Sequence, residues 1–170
     1  MRRARTRAWR VVCALAALAA AACGGEPKSA ASLGEAYAAG GGVAIYAPRI
    51  PAPAADVAAL YLVVADQDGR GDRLIAARSE IAEAMLHETR EEGGLVRMRQ
   101  AQDGFVIPPQ GELRLEPGGA HVMLTDLRQP LAPGARVYVT LEFERAGRLA
   151  LEVPVVSTDA APDVALGPPE

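Results

Sequence analysis

From Val43 onward, apolar residues come in short runs broken by Gly, Pro and Asp, at intervals that suit strands and show no sustained helical period. The pattern predicts strands at Val43 to Tyr46, Val57 to Ala65, Arg73 to Arg78, Ala84 to Thr89, Leu95 to Arg99 and Gly104 to Ile107. It predicts four more at Glu112 to Leu115, His121 to Leu124, Arg136 to Glu144 and Leu149 to Val155. Alternate positions are apolar in Val137–Phe143 and again in Leu149–Val153, and Gly147 sits between the two runs, the signature of a hairpin laid on a core. Asp68-Gly69, Gly93-Gly94, Pro117-Gly118-Gly119 and Pro133-Gly134 supply the dihedrals that chain reversal needs. An all-β, antiparallel sandwich of a single domain follows, over residues 43–157. Only Ser79 to Met85 reads as briefly helical, and Ala84 to Thr89 fits a strand entered from a turn equally well.

The two ends differ from this domain. MRRARTRAWR is basic and free of acids and runs into the apolar VVCALAALAAAAC, which reads as a secretory signal over residues 1–22. Cys23 stands where a lipoprotein signal places its acylated cysteine, between Ala21-Ala22 and Gly24-Gly25, although Ala20 replaces the usual branched aliphatic residue. Lipid attachment at Cys23 is expected, with cleavage by the ordinary signal peptidase as the alternative. Residues 24–42 are small and glycine-rich and read as a flexible tether, with a short helix conceivable in SLGEAYAA. The proline-rich residues 158–170 read as a disordered tail. The expected location is the periplasm or cell envelope.

Charge and cysteine content narrow the function. A net charge of −3 with interspersed signs offers no basic stripe, so nucleic acid is not an expected partner. Of the two cysteines, Cys13 leaves with the signal, so no disulfide can form within one mature molecule. With no Ser/His/acid arrangement and no spare thiol, an enzyme is not expected.

The candidate chemistry lies between positions 85 and 123, which hold both histidines and every methionine after the initiator. His121 and Met123 are two apart on a predicted strand and therefore project from one face, as do Met85 and His87. Met98 on a neighbouring strand can close the site. Two thioethers and two imidazoles suit Cu(I), and thioethers escape the oxidation that thiolates suffer outside the cytoplasm. For Met85 the expectation is core packing. His87, followed by the charged Glu88, Arg90, Glu91 and Glu92, is expected near a sheet edge beside a solvated turn. Glu112, Glu116 and Asp126 flank the His121 segment, where ordinary solvated turns are the preferred reading and an acidic docking rim the alternative.

The segments His87-Glu-Thr to Met98-Arg, Ile107-Pro-Pro, Leu115-Glu-Pro-Gly-Gly-Ala-His-Val-Met-Leu and Leu141-Glu-Phe-Glu-Arg-Ala-Gly resemble the periplasmic PCu(A)C copper chaperone family. That family's motif is a His, ten residues, a Met, about twenty-one residues and His-x-Met; here ten residues separate His87 from Met98 and twenty-two separate Met98 from His121. The resemblance implies a cupredoxin-like Greek-key sandwich and one Cu(I) ion held by His87, Met98, His121 and Met123. It also implies delivery to the CuA subunit of cytochrome c oxidase or to a Sco-type assembly protein, by a protein expected to be monomeric. Auxiliary methionines common in the family are replaced by Arg90 and Leu95, and the tail lacks the His and Met that take up Cu(II) in some members. A metal-free structural or adhesive sandwich is the competing reading.

Overall fold

The computed structural model describes residues 33–158 apart from position 94; the signal, Cys23, most of the tether and nearly all of the tail lie outside it. Eleven strands form and no helix is found among the described residues: β1 (Ala38–Gly40), β2 (Val43–Pro51), β3 (Ala58–Asp66), β4 (Asp72–Ser79), β5 (Glu83–Glu92), β6 (Leu95–Gln100), β7 (Phe105–Ile107), β8 (Glu112–Leu115), β9 (Ala120–Thr125), β10 (Arg136–Phe143) and β11 (Gly147–Val156). Their lateral order is β6-β5-β9-β3-β2-β11-β10-β4-β7, with β1 beside β2 and β8 beside β3. All pairings are antiparallel except one. β2 and β11 run parallel through Ile50↔Val155 and Pro51↔Val156, and this short junction joins the two halves of the sandwich.

The alternation read from sequence is what fills the interior. Leu60, Leu62 and Val64 of β3, Val122 and Leu124 of β9 and Leu86 of β5 share one buried core with Val137, Val139, Leu141 and Phe143 of β10 and Leu151, Val153 and Val155 of β11. Each such side chain, fully withdrawn from water, contributes about 1.5–3 kcal/mol before conformational entropy is counted. In β4 the buried residues are Leu74 and Ala77, three apart, because the register against β10 shifts between Glu142 and Phe143.

Three local expectations change. The tether expected over residues 24–42 becomes part of the fold before it ends. Tyr37 is buried, donates its hydroxyl to Glu152 O at 2.6 Å, and leads into β1, whose Ala38 pairs with Ile45. Neither suggested helix forms among the described residues: Ser79 ends β4, and β5 begins at Glu83. Finally, the charged run after His87 is not a turn. β5 continues through it to Glu92, paired residue by residue with β6 as far as Leu95.

Candidate metal centre on the outer face of the sheet

The four strands β6, β5, β9 and β3 lie side by side; the inward residues of β5, β9 and β3 belong to the core, whereas all of β6 is exposed. The candidate ligands occupy the alternate, outward positions. Across β5 and β9 the register places His87 opposite His121 and Met85 opposite Met123. Directly paired residues share a face, so these four side chains form a two-by-two block. The imidazole centroids of His87 and His121 are 6.0 Å apart and their planes are inclined at 60°. Met98 lies opposite Thr89 on β6, which places it diagonal to His87 on the same face.

His121 is delivered by the turn Glu116–Gly119. Gly119 N donates to Glu116 O at 3.1 Å and Glu116 N to Ala120 O at 2.8 Å, closing the reversal between β8 and β9, which pair in succession along β3. Gly118, at φ +78°, supplies the left-handed residue that this turn requires. The Gly119 carbonyl then accepts two hydrogen bonds, from Thr89 N and from His121 Nδ1, both at 3.1 Å. A carbonyl cannot donate, so Nδ1 carries a proton and Nε2 is the ring nitrogen left for a metal.

His121 is 5% exposed although it faces outward, whereas Met98 is 54% exposed. Tyr61 of β3 stands beside His121 with ring centroids 6.5 Å apart, and the Arg49 guanidinium lies 5.8 Å from the Tyr61 ring centroid. Neither neighbour was foreseen. The register of β2 against β3 shifts between Tyr46 and Arg49, with Ala47 at φ +46°, and this bulge sets Arg49 opposite Tyr61. Burial pushes the Tyr61 phenol up, opposed by Arg49, so it stays neutral.

His87 is half-buried, and its Nδ1 is withdrawn from water without a hydrogen-bond partner. Burial first, and the neighbouring His121 second, hold its pKa below the usual histidine value. Its strand is internal to the sheet; the edge is β6, which carries Met98. His87 therefore lies one strand in from the sheet edge, and the exposed member of the set is Met98. Met85 also departs from expectation: it is half-buried on the outer face, outside the core to which its neighbour Leu86 belongs.

The proposed acidic rim does not assemble. Glu112 pairs with Ala65, and Asp126 lies just past the end of β9, whose Leu124 pairs with Ala58, so the two acids lie towards opposite ends of β3. Glu112 is moreover engaged by Arg114 at 2.6 Å. No group of three or more His, Cys, Asp or Glu residues is placed to hold a metal among the described residues. The donor types that the register sets on this face are two imidazoles and three thioethers, a set that suits a soft monovalent ion.

The family described as "Putative lipoprotein LpqE-like" matches residues 43–155, most of the described domain. The chain belongs to the LpqE-like family. A Leifsonia xyli subsp. xyli protein named "Putative lipoprotein Lxx21020" is 38% identical over 89 residues, which span 51% of this chain and 54% of that one, so the match covers about half of that relative. Among solved structures, the copper-bound PCuAC domain from PmoF2 superposes with a TM-score of 0.59 at 28% identity, covering 71% of this chain and 97% of that domain. The Cu(I) form of DR1885 from Deinococcus radiodurans superposes with a TM-score of 0.55 at 26% identity, covering 67% and 78%. This LpqE-like chain thus has the cupredoxin-like sandwich of PCuAC copper chaperone domains, and the family resemblance seen in its motifs is borne out.

Proposed function

We propose that this LpqE-like protein is an envelope copper chaperone that carries one Cu(I) on His87, Met98, His121 and Met123. The observation that carries the reading is the His87–His121 pair. It is an outward-facing couple of imidazoles in a sheet, one whose Nδ1 is held by a backbone carbonyl so that Nε2 is left for a metal, the other with a buried nitrogen that lacks a partner. A buried polar atom left unpaired costs about 1–3 kcal/mol, and a bound metal would recover that cost. The similarity to PCuAC domains solved with copper supports the same ion here.

All four donors are neutral, so the complex retains the single charge of Cu(I), and release requires no proton transfer from a thiol. Met98, exposed on the edge strand, is the donor that a partner can reach and replace first. The recipient implied by the family resemblance is the CuA subunit of cytochrome c oxidase or a Sco-type assembly protein. The similarity to copper-binding PCuAC domains supports carriage of the ion as the role. The lipoprotein names of the family and of the Leifsonia relative support a lipid anchor at Cys23.

The test is competition for Cu(I) against bicinchoninate under reducing conditions. One equivalent should be retained by the native chain, and a Met98→Ala/Met123→Ala variant should lose at least roughly tenfold in affinity, as removal of two direct donors requires. Equal retention by the variant rejects the ligand set, and absence of uptake by the native chain leaves the metal-free adhesive sandwich.

A further inference from the structure

We propose that Met85 is a third thioether of this centre, taking over the position of Met98 when that residue leaves the ion; the inference rests on the Cu(I) reading above. Met85 bears the same relation to His87 that Met123 bears to His121, two residues along the strand on the same face, and the two methionines are direct cross-strand partners. Backbone spacing favours it. Met85 is one strand and two residues from His121, a diagonal of about 7–8 Å. Met98 is separated from His121 by two strand spacings, each about 4.7–4.9 Å, in addition to its displacement along the sheet.

The surroundings of Met85 point the same way. Its neighbours Ala84 and Leu86 pack on the core, yet Met85 lies outside it, half-buried on the side that holds His87 and Thr89. A thioether partly covered beside two imidazoles is placed to serve the ion and adds nothing to the interior. The donors then divide by strand position. His87, His121, Met123 and Met85 stand on the internal strands β5 and β9, and Met98 alone stands on the edge strand. When a partner draws Met98 away, its sulfur–copper bond breaks and a Met85 sulfur–copper bond forms. Neither electrons nor protons move, and the charge stays at +1. The ion remains four-coordinate until the partner's own donor arrives.

The experiment uses the mature chain with 13C-methyl methionine, loaded with Cu(I) under reducing conditions, and compares native protein with Met85→Leu, Met98→Leu and the double variant. Methyl resonances and the number of sulfur scatterers at the copper K-edge are both read. In Met98→Leu the Met85 methyl should shift on loading and two sulfurs should remain. In the double variant one sulfur should remain, with affinity roughly tenfold or more below the product of the two single effects, as two groups that replace each other require. An unmoved Met85 methyl and a single sulfur in Met98→Leu, with His87 and His121 still shifting, overturn the proposal while sparing the chaperone reading. If no imidazole or methionine responds in native protein, the chaperone reading itself fails. Leucine preserves apolar volume, and the circular dichroism of each variant should match that of the native chain.

Discussion

His121 Nδ1 and the Gly119 carbonyl lie 3.1 Å apart, two residues from each other in sequence, and this contact fixes the protonation of the imidazole before any metal arrives. At neutral pH the metal-free protein should hold His121 as the Nδ1–H tautomer. Long-range 15N correlation spectra distinguish the two ring nitrogens directly. A dominant Nε2–H form would contradict the contact, and with it the choice of Nε2 as the metal-facing atom.

His87 yields a prediction in pH. Its folded pKa lies below the ordinary value of about 6.5 because burial, and then His121, disfavour the cation. As pH falls, the unfolded chain therefore binds a proton at this residue before the folded one does. Above the unfolded value both states are neutral and His87 leaves stability unchanged. Below it, stability declines until the folded group titrates in turn. Thermal melts of the metal-free protein between about pH 7 and pH 5 should show this decline, and His87→Gln should reduce it. An NMR midpoint for His87 at about 6.5 would abolish the effect, and one above it would reverse the sign.

Two glycines with similar backbone angles should respond very differently to alanine. At Gly118, φ +78°, an added Cβ meets nothing within 4 Å, so only the left-handed backbone resists; the loss should be about 1 kcal/mol, and less for asparagine. At Gly104, φ +69°, the same atom would fall 2.1 Å from the Leu74 carbonyl oxygen, and the β4–β7 connection would have to move. A loss of about 3 kcal/mol or more is expected. Urea titration of Gly118→Ala and Gly104→Ala gives both values, and equal losses would show that the contact does not matter.

The strands were legible because half of each faces an apolar interior and half faces water, which leaves a period of two in residues such as Val137–Phe143. β1 escaped because Ala-Ala-Gly carries neither a branched residue nor an alternation; pairing with β2 makes it a strand. At the site, the shared face of His121 and Met123 could be read directly, since it depends only on local spacing. The partnership of Tyr61 with His121 depends on which strand lies beside β9, and that of Arg49 with Tyr61 on a bulge at Ala47, neither of which leaves a local signal. Met85 was assigned to the interior on the general habit of methionine, although its spacing from His87 already committed both to one side.

The alternation that divides core from ligand in β5 and β9 also restricts how the chain can change length. One residue inserted within β9 would reverse the parity of everything beyond it, turning Met123 inward and Leu124 outward at a stroke. In a turn, the same insertion is absorbed without such exchange. The stretch between Met98 and His121 crosses three reversals, at Ala101–Gly104, Pro108–Gly111 and Glu116–Gly119, each closed by a backbone hydrogen bond across three residues. An insertion at these places leaves the facing of the ligands intact, so the spacing between them can drift by a residue while the reading frame of the sheet, inside against outside, stays fixed.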